Sequence, residues 1–329
     1  MQVGPARPDG ALSLAGGWGW FTHVEVITRG AAPVVILADD LPDAARSALA
    51  GPRPPVMGLS YDQPRLMGIV NVTPDSFSDG GRHAAATDAL AAGARMLAEG
   101  ADILDIGGES TRPGATPTPA DEETTRVTPV IKGLRAAHPD AVLSVDTRKA
   151  SVAAAAQAVG ADLFNDVSGF TYDPASLRLA AQKEMTVCVM HAQGDPQTMQ
   201  QNPVYEDVLL DVYNFLEARI AALVAAGVPK ARIIADPGIG FGKTLAHNLA
   251  LLARLSLFHG LGVPVLLGAS RKRFIGTLGN APQADQRAPG SIGVALAALN
   301  HGIQVLRVHD VAQTRQAVSL WQACLTGRQ

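Results

Sequence analysis

From Leu66 onward, short apolar runs alternate with longer stretches whose apolar residues recur at helical spacing. The runs are "LMGIVNV" from residue 66, "DILDIGG" from 102, "AVLSVDT" from 141, "DLFNDVSG" from 162, "TVCVMH" from 186, "RIIADPG" from 232, "PVLLGAS" from 264 and "QVLRVHD" from 304. Each is short and dominated by apolar, often β-branched residues, which predicts a strand. Between them, Leu90, Ala94 and Leu97 share one helical face, and Val208, Val212, Phe215, Ile220 and Leu223 share another that Gly227 and Pro229 bring to a stop. Apolar strands separated by crossover helices predict a parallel sheet covered on both faces. Eight such units over about 260 residues predict an α/β fold of the closed (β/α)8 kind, a TIM barrel. An open doubly wound sheet is the alternative, and its dinucleotide fingerprint is missing.

The first 62 residues break this rhythm. "THVEVITRG" and "PVVILADD" read as two short strands, and "AGPRPPVMGLS" reads as a linker. The expected division is therefore a small N-terminal β appendage and linker of unassigned role over 1–62, and a catalytic barrel over 63–329.

Charge narrows the function. Lys and Arg number 27 against 30 Asp and Glu, and neither sign forms a long run, which argues against nucleic acid or an anionic membrane and for a small-molecule partner. Cys188 and Cys324 lie far apart without CxxC spacing, so both read as reduced core residues rather than a disulfide or thiolate metal site. "MQVGPARPDG" lacks a basic start followed by an apolar stretch, and no apolar segment reaches the ~18 residues of a membrane span. The expectation is a cytoplasmic protein with no membrane partner.

The strands share a further property: nearly every one ends in a residue able to recognise a polar ligand. These are Asn71, Asp105 with Glu109, Asp146, Asn165 with Asp166, His191, Asp236, Ser270 to Lys272, and Arg307 with His309. In a TIM barrel this edge carries the active site. "DPGIGFGKT" (236–244) invites a nucleotide reading and fails it, because Pro237 stands where a P-loop needs Gly and "GIGFG" lacks the GxGxxG spacing. What remains is a carboxylate, glycines that permit close backbone approach, and Phe241. Basic residues gather in "GASRKRF" and "RVHD", after the last two strands, where barrels commonly hold phosphate; "STRPG" adds Arg112. Barrel closure makes strands eight and one neighbours, so Arg307, His309 and Asn71 can face one anion, Asn71 offering an oxygen that magnesium would accept. Asp146, Asn165 and Asp236 suit a flat heterocycle rich in N–H donors. A metal site built from these acids is the rival reading, weakened by the lack of a His pair at ligand spacing.

"MGIVNVTPDSFSDGG", "GADILDIGGESTRPGA", "SVDTRKASVAAAA", "FNDVSG", "VMHAQGDP", "DPGIGFGK", "GASRKRFIG" and "RVHDV" resemble, in order and spacing, the successive motifs of the dihydropteroate synthase family. The resemblance covers residues 64 to 326 and implies a TIM barrel. It implies condensation of (7,8-dihydropterin-6-yl)methyl diphosphate with 4-aminobenzoate, giving 7,8-dihydropteroate and pyrophosphate in folate biosynthesis, with Mg2+ assisting. On this resemblance Asp146, Asn165 and Asp236 are the pterin set, with Lys272 reaching the ring from the opposite side. Asn71, Arg307 and His309 become the pyrophosphate and magnesium site. Thr111, Arg112, Pro113, Phe241, Ser270 and Lys272 are similar to the residues that shape the aminobenzoate pocket, where sulfonamides compete. Asp79 and Phe77 lie on a lid, and Asp79, Arg112, Lys272, Arg307 and His309 are the expected catalytic residues. A homodimer through helices late in the barrel is implied too. A pterin-binding methyltransferase module or an inactive paralogue are the alternatives; the first has no use for "SRK" or "RVHD", and the second would be expected to have lost such residues.

Overall fold

The computed structural model describes residues 1–72, 82–112 and 114–327. The N-terminal segment forms β1 (Gln2–Val3), β2 (Leu12–Ser13), β3 (Gly19–Phe21), β4 (His23–Val26), β5 (Val34–Leu37) and helix α1 (Asp43–Ala50). The two strands expected from sequence are β4 and β5, paired antiparallel. The three-stranded sheet β1-β3-β2 was not legible, because strands of two or three residues are too short to show an alternation. The segment has its own small core of Leu14, Phe21, Ala38 and Leu41. It docks on the barrel through Trp18, whose Nε1 donates to the Leu299 carbonyl at 2.8 Å and whose ring meets Trp321 edge-on. Arg29 pairs with Glu206 and Asp211, and Arg254 pairs with Glu25. The Pro/Gly-rich stretch that follows α1 also packs: Arg53 is buried and donates to the carbonyls of Ala48, Gly51 and His259.

All eight expected barrel strands form. They are β6 (Arg65–Asn71), β7 (Ile103–Gly107), β8 (Val142–Asp146), β9 (Leu163–Asp166), β10 (Thr186–Met190), β11 (Ile233–Asp236), β12 (Leu266–Leu267) and β13 (Val305–Val308). They are parallel, in the order β11-β10-β9-β8-β7-β6-β13-β12, and a bridge between Ala235 and Val265 joins the two ends. Helices α2 (Arg82–Ala98), α3 (Ala120–Ala137), α4 (Ala150–Ala158), α5 (Ser176–Gln182), α6 (Val208–Ala225), α7 (Leu245–Leu252), α8 (Arg273–Leu278), α9 (Ala288–Asn300) and α10 (Val311–Thr326) surround it.

The two-residue period of the strands sorts their side chains into two cores. One set, including Leu104, Ile106, Leu143, Val145, Phe164, Val187, Val189 and Leu306, faces the helices in the main cluster. The other set points inward. At the N-terminal end it is apolar: Met67, Ile103, Val142, Leu163, Cys188, Ile234, Leu266 and Val305 form one layer, closed from beneath by Val56 and Tyr61. Two residues further along, five of the eight inward positions are polar, Asp105, Ser144, Asn165, Asp236 and Arg307, the other three being Ile69, Met190 and Gly268. The barrel thus has a dry floor and a polar mouth. Cys188 belongs to that floor as expected, whereas Cys324 is exposed on α10, since its position falls on the outer face of a peripheral helix.

Candidate active site

The centre of the mouth is an ionic lattice. Arg307 donates from Nε to Asp105 Oδ2 at 2.6 Å and from Nη2 to Asp146 Oδ2 at 2.7 Å. Asp105 also accepts from Ser144 Oγ at 2.6 Å and from Asn165 Nδ2 at 3.0 Å, so four strands are cross-linked through one carboxylate. Burial pushes the Asp146 carboxyl up to about 7, opposed chiefly by the charge of Arg307. Its second oxygen, Oδ1, is buried and has no hydrogen-bond partner among the described residues. A buried acceptor left open at the base of a cleft is a place for a ligand donor.

Asp236 sits across the barrel, buried, with Oδ1 accepting the Gly238 N–H at 2.7 Å. Burial raises its carboxyl, offset mainly by Lys272. Lys272 hydrogen-bonds the Ile239 carbonyl and lies 4.5 Å from the centroid of the Phe241 ring. Burial lowers its ammonium to about 8, opposed by Asp236. The glycine-rich loop that carries Phe241 is folded back on β10: Gly238 has φ +67°, and a Cβ there would lie 1.9 Å from the His191 carbonyl oxygen. Buried Lys243 holds the loop closed, bonding His191 Nδ1 at 2.8 Å and the carbonyls of Gly238 and Phe241 at 2.8 and 3.1 Å.

On the rim, Ser270 Oγ accepts the His309 backbone N–H at 3.2 Å and lies 3.0 Å from His309 Nδ1. Where Oγ gives its own hydrogen to Nδ1, the ring presents Nε2–H to a ligand. Burial, with the charges of Arg307, Arg271 and Arg112, lowers the imidazole to about 4, so it is neutral in the neutral range. Arg271 pairs with Asp310 through both Nε and Nη2 and is committed to the fold. Asn71 ends β6 exposed, and Thr111 and Arg112 lie half-buried and exposed on the loop after β7. Asp79, Phe77 and Pro113 fall outside the described residues.

Some strand-end residues serve the fold instead. Asp166 points away from the mouth and accepts from Ser168 N, Ser168 Oγ and Phe170 N, closing the turn after β9. His191 is spent on Lys243 and stacks edge-on with Phe215. Conversely, the central role of Asp105 and the loop-holding role of Lys243 were not assigned from sequence. For Asp105 the signal was there: it shares the inward face of β7 with Ile103.

Among the described residues no group of three or more His, Cys, Asp or Glu could hold a metal ion. Residues 67–309 match the family described as pterin binding enzyme. The dihydropteroate synthase of Escherichia coli strain K12 is 43% identical over 82% of this chain and 95% of its own length. A Xanthomonas albilineans dihydropteroate synthase solved with 4-aminobenzoic acid superposes with a TM-score of 0.76 at 50% identity, covering 81% of this chain and 94% of that one. The same enzyme solved with 7,8-dihydropteroate gives 0.73 at 47%, covering 81% and 95%. With a family match over residues 67–309 and relatives of 43% identity or more across about four fifths of its length, the chain belongs to the pterin-binding enzymes, among the dihydropteroate synthases.

Proposed function

We propose that this chain is a transferase that joins (7,8-dihydropterin-6-yl)methyl diphosphate to 4-aminobenzoate, releasing pyrophosphate and forming 7,8-dihydropteroate for folate synthesis. The observation that carries the site assignment is the pairing of two chemistries in one mouth. Buried acceptors on Asp146 and Asp236, with Asn165, suit the N–H edge of a pterin. Lys272, Arg307, His309 and Arg112 supply donors and positive charge for an anion. Departure of pyrophosphate leaves a delocalised cation on the pterin methylene, so stabilising carboxylates beneath the ring and donors around the leaving group both lower the barrier.

Arg307 serves both ends. Its Nε and Nη2 are held by the acids, while Nη1 has no hydrogen-bond partner among the described residues and is available for a phosphate oxygen. His309 contributes a neutral Nε2–H. Lys272 and Phe241 form a wall shared by the two substrate positions, with Thr111, Arg112 and Ser270 completing the aminobenzoate side. Magnesium fits as an ion bound largely by the diphosphate, with the amide oxygen of exposed Asn71 as a protein ligand, since such ions keep most of their ligands from substrate and water. When bound, it would neutralise charge on the leaving group.

Assembly as a homodimer and a cytoplasmic location belong to the same proposal. Leu245 and Leu249 lie one turn apart and exposed on α7, and Leu278 is exposed at the end of α8, which supports a contact on the late helices. Among the described residues no helix is long and apolar enough to cross a membrane. The test is pyrophosphate release from the pterin diphosphate with and without 4-aminobenzoate. Product dihydropteroate formed in step with pyrophosphate is expected; no amine-dependent release would reject the reading in favour of a methyltransferase module or an inactive paralogue.

A further inference from the structure

Beneath the loop that carries Thr111 and Arg112 lies a cluster of four buried charges that the reaction does not use. Glu109, Glu123, Arg148 and Lys149 are each at most 8% exposed. Lys149 Nζ bonds both Glu109, at the start of that loop, and Glu123, in the first turn of α3 just beyond its end, the latter at 2.5 Å. One ammonium therefore ties the two ends of the β7–α3 loop together. Arg148 bonds the other oxygen of Glu109. Its guanidinium also lies 4.2 Å from the centroid of the Tyr172 ring, after β9, and 3.8 Å from Asp195, after β10. The loop makes its own contact on that side, with Gly114 N–H donating to the Pro196 carbonyl at 3.0 Å.

Stability does not account for this arrangement. Two acids and two bases drawn out of water are seldom better than apolar side chains of the same volume, and here Glu123 Oε1 and Arg148 Nε have no hydrogen-bond partner among the described residues. What an ionic cluster supplies, and a greasy one does not, is a fixed relative position for the elements that carry the charges.

We infer that Glu109, Arg148, Lys149 and Glu123 form a positioning hub that sets the β7–α3 loop, and with it Thr111 and Arg112, against the second-substrate pocket. None of the four touches substrate; Arg148 and Lys149 act through Glu109. The inference rests on the reading that 4-aminobenzoate binds beside Thr111 and Arg112. Its consequence is selective: weakening the hub displaces one wall of the amine pocket and leaves the acids that hold the pterin where they are.

The experiment is steady-state kinetics of the full chain in both substrates, with calorimetric binding of the pterin diphosphate, for Glu109→Gln, Lys149→Met, their double variant and Lys149→Arg. Expected is a rise in KM for 4-aminobenzoate of about tenfold in either single variant, the scale of one charged hydrogen bond. Pterin affinity should stay within about twofold, the double variant should be little worse than either single one, and Lys149→Arg should largely restore the amine KM. In folded variants, KM values that rise together, no change in either, or additive losses would overturn the hub. If Lys149→Met fails to fold, Glu109→Gln and Glu123→Gln, which keep side-chain size, decide alone. Arg112→Ala separates the two layers of the argument. If it raises the amine KM and the hub variants do not, the hub falls and the pocket stands; if it has no effect, both fall.

Discussion

Replacing Arg307 with Met keeps an unbranched stem and removes the charge shared by two buried carboxylates. Asp105 is fully buried and Asp146 is 8% exposed, and the guanidinium reaches them at 2.6 and 2.7 Å. Removing one partner of a buried ion pair costs about 3–5 kcal/mol, because the remaining charge stays withdrawn from water. That is survivable against the ~5–15 kcal/mol of a typical domain. The loss should also depend on pH with a definite sign. In the native protein burial raises Asp146 to about 7 while Arg307 opposes the rise. Without Arg307, burial and repulsion from Asp105 act unopposed and the folded-state value climbs further. A carboxyl whose folded value exceeds its unfolded value of about 4 holds its proton better in the fold, so stability is lost as pH rises toward the folded value. The two proteins therefore differ most above the variant's raised value, and the gap narrows as pH falls to about 7, by up to ~1.4 kcal/mol per pH unit. Urea unfolding of both proteins at pH 6 and pH 9 measures this. The expected penalty is about 3–5 kcal/mol at pH 9 and at least ~1 kcal/mol smaller at pH 6. Equal penalties at the two pH values, or less than ~1 kcal/mol at both, would refute the counter-charge reasoning.

Three further outcomes are expected. Asp236→Asn places an amide where a buried carboxylate faces the pterin's donors, and calorimetry should show pterin binding weakened by about 2–4 kcal/mol in a protein that remains folded; unchanged affinity would remove Asp236 from the pterin set. Gly238→Ala sets a methyl 1.9 Å from the His191 carbonyl at a φ of +67°, so thermal unfolding should reveal a loss of about 2 kcal/mol or more, accompanied by weaker pterin binding because Gly238 N–H holds Asp236. A chain beginning at Ser60 loses Val56 from the barrel floor and the Trp18 and Arg53 hydrogen bonds, yet no residue of the mouth; it should unfold at lower temperature while keeping turnover at permissive temperature, and loss of turnover in the folded truncation would show that the N-terminal segment completes the site.

The sequence carried the architecture because the relevant physics is local. Eight apolar runs of strand length separated by helical periodicity leave few topologies, and polar residues gathered at strand ends point to one edge of a barrel. It also carried the family, through motifs spread over most of the chain. The strands of the N-terminal segment were legible where they ran to four residues and illegible where they ran to two or three. Within the site, local pattern could name polar strand-end residues but not divide them. Asn165 and Asp166 are adjacent and equally polar, yet the pleat turns one into the barrel and the other outward to cap a turn. Asp105 and Arg307 are 202 residues apart, and their 2.6 Å contact exists because closure of the barrel brings strands from its two ends together. The same holds for Lys149, whose bonds to Glu109 and Glu123 tie a loop that no spacing rule connects to it. Secondary structure and candidate chemistry were fixed by residues near one another in the chain. Which of those residues share a charge, and which face the ligand, was decided by inward and outward alternation around a closed sheet, a property that no single segment possesses.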